Sequence, residues 1–142
     1  ALNYALSRGV IVMMSAGNSG TNNDQSAEFP KQIPGLTIVA SSDQRNGKPK
    51  HSNFGKSTVT WASPGDQIRS TTLDGAYGVM SGTSMANALS TGLTALAMSY
   101  DDKGTLRQEL IQSLCESADL KGWDKLTRCG HLNLKNYFER RP

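Results

Sequence analysis

The chain has 142 residues, 37% of them hydrophobic and 19% charged, enough for one domain or for part of a larger one. With 15 Lys and Arg against 12 Asp and Glu the formal charge is +3, and no Lys/Arg block concentrates it, which argues against a nucleic-acid partner. Gly and Pro together make up about 13% of the chain, close to ordinary globular usage, so collagen-like and low-complexity classes drop out.

The first residues, Ala1-Leu2-Asn3-Tyr4-Ala5-Leu6, show neither an initiator Met nor a basic stretch leading into an apolar run, so no signal peptide is visible. Leu2 and Leu6 lie four apart, as do Ala1 and Ala5, and Arg8-Gly9 supplies a last-turn cation and a stop. The chain is therefore expected to begin inside a helix and to be a fragment. Residues 10–14 form an uninterrupted apolar run ending in Ser15-Ala16-Gly17-Asn18, which predicts a strand buried on both faces, as parallel sheets require. Helix, glycine and buried strand make half of a β-α-β repeat. In sheets built from that repeat the ligand crevice lies at the carboxyl ends of the strands, where Asn18 stands.

A polar stretch over 19–28 leads to Phe29-Pro30 and Ile33-Pro34, and residues 36–40 predict a second buried strand. Residues 59–62 predict a third, stopped by Ser63-Pro64-Gly65-Asp66, and residues 67–71 and 77–80 flank Asp74-Gly75 as a two-stranded ribbon. Residues 75–100 hold no charge over 26 positions, long enough to raise a membrane span. Ser81, Thr83, Ser84, Asn87, Ser90, Thr91, Thr94 and Ser99 make that segment protein interior instead, with no membrane partner. Met85, Leu89, Leu93 and Leu96 at helical spacing predict a helix over 83–99 buried nearly all round. Residues 105–115 put Leu106, Leu110, Ile111 and Leu114 on one face of an amphipathic helix, and residues 130–138 predict a short extended piece and a last helical turn before the exposed run 139–142. Cys115 and Cys129 have no His or Cys at zinc-ligand spacing. They are either a disulfide closing a loop of about 15 residues, worth roughly 3 kcal/mol in the chain-entropy model, or two buried free thiols.

Gly82-Thr83-Ser84-Met85-Ala86 places a serine in the first turn of a helix, after a glycine that allows a sharp turn. Helix-start N–H groups favour negative charge, so this serine is either a cap or a nucleophile whose developing oxyanion they stabilise. Asn18 is either a loop asparagine in a left-handed turn or a side-chain donor to that oxyanion. At this point the sequence resembles the subtilisin-like serine proteases. Gly82-Thr83-Ser84-Met85-Ala86 matches the family's nucleophile motif, and Ser15-Ala16-Gly17-Asn18 matches the strand end that carries the oxyanion-hole Asn. Weaker landmarks follow in family order: Phe29-Pro30, Ile33-Pro34, Ser52-Asn53-Phe54-Gly55, Ala62-Ser63-Pro64-Gly65 and Gly130-His131-Leu132-Asn133.

The resemblance runs the whole chain and implies an α/β fold. The implied form is a partial three-layer subtilisin-like fold, which would have a parallel sheet with flanking helices, a buried helix carrying the nucleophile, and a small antiparallel ribbon. Residues 1–142 would be the C-terminal portion of a single peptidase domain, with the catalytic Asp and His upstream. Ser84 would be the acyl-forming nucleophile and Asn18 the oxyanion donor, with the Ser84 backbone N–H as second donor. Ser15, Ala16 and Gly17 would form one wall of the pocket for the residue before the scissile bond. The implied partners are a protein or peptide substrate and the missing N-terminal part of the same domain, in a secreted or extracytoplasmic setting. His51 and His131 fall in structural stretches and are surface or packing residues, not the base. The family often binds calcium, but Asp24, Glu28 and Asp43 are scattered. No metal or cofactor is expected within this chain, and calcium is left to the full-length protein. In one departure, the family's usual Ala/Ser-Pro-His-Val-Ala-Gly reads Asn87-Ala88-Leu89-Ser90-Thr91-Gly92, which keeps a non-catalytic, peptide-binding relic as the alternative.

Overall fold

The computed structural model describes residues 1–25, 30–100 and 107–140. Phe29 of the Phe29-Pro30 landmark, Glu28, the expected helix starters Thr105 and Leu106, and Arg141-Pro142 lie outside the described residues. In chain order the elements are α1 (Leu2–Ser7), β1 (Met13–Ser15), β2 (Thr37–Ser42), β3 (Trp61–Pro64), β4 (Ile68–Thr71), β5 (Tyr77–Met80), α2 (Thr83–Tyr100), α3 (Arg107–Ser117) and α4 (Leu134–Glu139).

β1, β2 and β3 form a parallel sheet in that order, with Met14 opposite Ile38 and Ser41 opposite Ser63. All six residues of the central strand β2 are buried, because a parallel sheet needs both faces covered. On one face Val39 and Trp61 pack with Ala86 and Ala97 of α2, Leu110 and Leu114 of α3 and Tyr137 of α4. On the other, Ile38, Ala40 and Ala62 pack with Trp123 and with Leu6 of α1. The outer edge of β3 is closed by the tail: the Ala62 N–H donates to Gly130 O at 2.9 Å and the Leu132 N–H to Ala62 O at 2.8 Å. The ribbon is antiparallel, Ile68 opposite Met80.

Three expectations change. β1 is only partly buried at each position, not buried on both faces, because it is the edge strand and no described strand pairs with its outer side. α2 buries Thr83, Ala86, Ser90, Thr94 and Ala97 but leaves Leu89, Leu96 and Met98 40–48% exposed. Its apolar far side meets nothing among the described residues, so it is a one-sided helix here. β3 runs on through Ser63 and Pro64, since Pro64 sits at the strand's exposed end opposite Ser42, where its missing N–H costs the ladder little.

The question of the two cysteines is answered by a disulfide between Cys115 and Cys129, with Cα atoms 4.9 Å apart. It ties α3 to the segment that edges β3. Replacing both cysteines by alanine in the full-length protein is expected to lower unfolding stability by about 3 kcal/mol, read as a shift of the denaturant midpoint; an unchanged midpoint would show that α3 is held by packing alone.

Gly65, just past β3, lies between the end of β2 and the start of α2. A Cβ there would lie 2.6 Å from Ser41 Oγ, 2.7 Å from the Ala86 Cβ and 2.8 Å from Gly82 O. Gly65→Ala is expected to cost about 1–3 kcal/mol through overpacking and to show as a lowered melting temperature.

Candidate active site

The chain leaves β1 through Ala16, whose N–H donates to Val39 O at 2.9 Å. Ala16 is fully buried and belongs to the core on the α1 face, so of the expected Ser15-Ala16-Gly17 wall it offers only backbone, while Ser15 and Gly17 stay half-buried. Gly17 takes φ +109, and a Cβ there would come 2.7 Å from Asn53 Nδ2. Only glycine serves at that position. Asn53, 3% exposed, holds the turn from beneath. Its Oδ1 accepts the N–H groups of Ser19 and Thr21 at 2.9 and 3.0 Å, and its Nδ2 donates to Ala16 O and Asn23 Oδ1. The next loop is pinned by Asp24, whose carboxylate takes the Ser57 and Thr58 N–H groups and the Thr58 hydroxyl. Burial raises its pKa, but those hydrogen bonds outweigh burial and hold it below the usual carboxylate value. Asp43 is likewise taken up by the N–H groups of Arg45 and Gly47. Among the described residues no three His, Cys, Asp or Glu side chains come together as a metal-holding group.

The structure brings Asn18 and the start of α2 together across 65 residues. Asn18 Oδ1 accepts the Thr83 N–H at 2.9 Å and the Thr83 hydroxyl at 3.1 Å. The same hydroxyl oxygen accepts the Gly17 N–H at 3.2 Å. Because a backbone N–H can only donate, the atom facing it must be the amide oxygen, and the orientation of the Asn18 amide follows. Its Nδ2 makes no hydrogen bond among the described residues and lies 3.4 Å from where a Gly82 Cβ would stand. Gly82 has φ +155 and turns the chain from β5 into α2.

At the helix start the Thr83 N–H is taken by Asn18, and the Met85 and Ala86 N–H groups return to Gly82 O at 3.1 and 3.3 Å. The Ser84 N–H and hydroxyl have no partner among the described residues, and Ser84 is exposed. Two donors without a partner among the described residues, Asn18 Nδ2 and the Ser84 N–H, thus belong to the two segments that meet at this helix N-terminus, where the Ser84 hydroxyl is exposed. Such a place favours negative charge.

Neither histidine joins this site. His51 is half-buried, with Nε2 unpartnered. His131 is 8% exposed, and its Nε2 pairs with Ser42 Oγ at 2.8 Å. Burial lowers its pKa below the ordinary imidazole value, opposed by the Leu132 carbonyl and Asp119. Sequence reasoning named Thr83 and Asn53 only as parts of motifs. The signal was the residue before the serine and the residue after Ser52, but their roles depend on contacts across 32 to 66 positions.

Comparison with known proteins shows the family and agrees with the fold. The model of the subtilase family matches residues 1–133. Thermitase from Thermoactinomyces vulgaris is 37% identical over 127 residues, covering 88% of this chain and 44% of that protein. A thermophilic serine proteinase from Bacillus sp. strain AK1 is 33% identical over 140 residues, covering 96% of this chain and 32% of that protein. Among solved structures, the self-cleaved protease domain of PatA superposes with TM-score 0.80 at 26% identity, covering 96% of this chain and 52% of that one. The prenylagaramide maturation protease PagA, at 24% identity and TM-score 0.80, shares the fold. The chain thus spans about half the length of these relatives or less. With the family match over nearly the whole chain, and with the parallel sheet, ribbon and serine-bearing helix in place, the chain belongs to the subtilase family.

Proposed function

We propose that this chain carries the nucleophile and oxyanion hole of a serine endopeptidase that cleaves peptide bonds through an acyl-enzyme on Ser84. The observation that supports it is the Nδ2 of Asn18, left without a partner among the described residues while Oδ1 takes the two Thr83 donors, at the same helix start as the unpartnered N–H of Ser84. When the Ser84 hydroxyl loses its proton and its oxygen bonds the substrate carbonyl carbon, charge gathers on the carbonyl oxygen. Donors fixed beforehand stabilise that charge more than they stabilise the neutral carbonyl, which is what lowers the barrier. Collapse of the tetrahedral intermediate expels the amine and leaves the acyl group on Ser84; water then repeats the sequence to release the acid.

A serine hydroxyl needs a base, and no described histidine reaches Ser84. The base and the carboxylate that orients it belong on this reading to the N-terminal part of the same domain. The exposed Leu89 and Leu96 side of α2 and the edge of β1 that no described strand pairs are the surfaces that part would cover. The Cys115–Cys129 disulfide fits an oxidising compartment, so we place the protein outside the cytoplasm. No described helix is long and apolar enough to cross a membrane.

In the full-length protein a fluorophosphonate probe is expected to label Ser84, and Ser84→Ala to abolish both labelling and peptide hydrolysis. An intact protein that stays unlabelled yet binds peptides would favour the non-catalytic relic that Asn87-Ala88-Leu89 suggests. Asn18→Ala should lower kcat by about 10²–10³ with KM little changed, as expected for a donor used only in the transition state. Thr83→Val keeps the N–H that orients Asn18 but removes the hydroxyl, so its loss in kcat should be smaller; steady-state kinetics on a chromogenic peptide reads both.

A further inference from the structure

His131 lies outside the site just described, yet a short chain of hydrogen bonds joins it to the turn that carries Ser84. His131 Nδ1 sits 3.1 Å from Leu132 O. A carbonyl only accepts, so Nδ1 carries the proton, and in the neutral ring Nε2 accepts from the Ser42 hydroxyl at 2.8 Å. Ser42 is fully buried at the carboxyl end of β2. Its carbonyl oxygen accepts the Gly65 N–H at 3.0 Å and the Asp66 N–H at 3.2 Å, and Gly65 O accepts the Gly82 N–H at 2.8 Å. Gly82 O in turn receives the Met85 and Ala86 N–H groups that form the first turn of α2 around Ser84.

The geometry points to neutral His131 as a positioning residue for the nucleophile: through Ser42, Gly65 and Gly82 it holds the Ser84 turn in place, and its protonation releases that hold. This rests on the proposed role of Ser84. A second proton on the ring makes Nε2 a donor, so the Ser42 hydroxyl must turn round and accept. The Ser42 proton then has no acceptor among the described residues, in a place closed to water, and an unmade buried hydrogen bond is costly. Moving Ser42 relieves that cost and drags the end of β2 with it.

The groups facing His131 are few. Asp119 exchanges backbone hydrogen bonds with it on one side, its carboxylate occupied by the side-chain amides of Asn133 and Asn136. The Trp123 ring centroid lies 6.1 Å away, and Ala62 flanks it from β3. Asp119 favours the charged ring, but burial prevails. The sign follows: with the folded value below the ordinary 6.5, the unfolded chain takes up the proton first as pH falls. Stability contributed by the neutral ring is therefore present above about pH 6.5 and is lost in acid.

The test is the pH dependence of kcat/KM between pH 4 and 8 in the full-length protein, on an uncharged chromogenic peptide. A base histidine alone gives a limiting acid limb of about tenfold per pH unit; with His131 as a second required neutral group the limb steepens toward roughly 100-fold per unit. His131→Gln, which has no proton to gain, should return the limb to tenfold per unit. Ser42→Ala should do the same and lower kcat about tenfold at neutral pH, with KM unchanged. A wild-type limb of only tenfold per unit, which needs no variant to observe, overturns the inference, as does a steep limb that persists in both variants. Fluorophosphonate labelling at pH 7.5 separates the two failures: a labelled Ser84 with a shallow limb sinks only the role of His131, whereas no labelling sinks the proposed function itself.

Discussion

One hydrogen-bonded junction governs the geometry of this chain: the amide oxygen of Asn18 held between the N–H and the hydroxyl of Thr83, with the Gly17 N–H closing on the same hydroxyl. It binds the end of an edge strand to the start of a helix 65 residues away. It also removes an ambiguity that asparagine side chains usually carry. An amide that could present either end is fixed with its oxygen inward and its NH₂ outward. Asn18 thereby caps α2 from a distance, taking one of the orphan N–H groups every helix start exposes, and leaves its own Nδ2 and the Ser84 N–H without partners among the described residues.

That junction needs close backbone approach, and the sequence answers with glycine at the points of contact. At Gly17 a side chain would strike Asn53, and at Gly65 it would strike Ser41, Ala86 and Gly82 at once. The two positions do different work. Gly17 has φ +109 and is required for conformation as well as space, whereas Gly65 is required for space alone. Beneath them Asn53 and Asn23 satisfy the polar groups that such a tight crossing buries, which is why a loop at a strand end stays fixed in a protein whose β1 is only half covered.

What was legible in the sequence is what short range encodes. Apolar runs marked β2 and β3, two short segments flanking Asp74-Gly75 marked the ribbon, and the spacing of Met85, Leu89 and Leu93 marked α2. The approach of Asn18 to the start of α2 was legible only through the family likeness, because nothing local links positions 65 apart. Burial was misjudged where it depends on neighbours. The runs that form β1 and α2 are as apolar as the core strands, but apolar composition reports what a face can bury and not what stands opposite it. The disulfide was one of two readings that the sequence left open, and the His131–Ser42 pair, 89 positions apart, was invisible for the same reason: spacing along the chain carries no record of which ends a parallel sheet brings side by side.

The division of labour has a physical consequence for the chemistry proposed here. Every group that would stabilise a developing oxyanion is fixed by contacts internal to this chain, whereas the group that would activate the hydroxyl is not. Electrostatic preorganisation and proton transfer are separable contributions, and a site that keeps its donors retains part of its rate advantage when the base is lost. The donors are held by Thr83 and by the turn at Gly82, and neither depends on what covers the exposed side of α2. The outward amide is therefore a property of this half of the fold, already formed before any base is brought to Ser84.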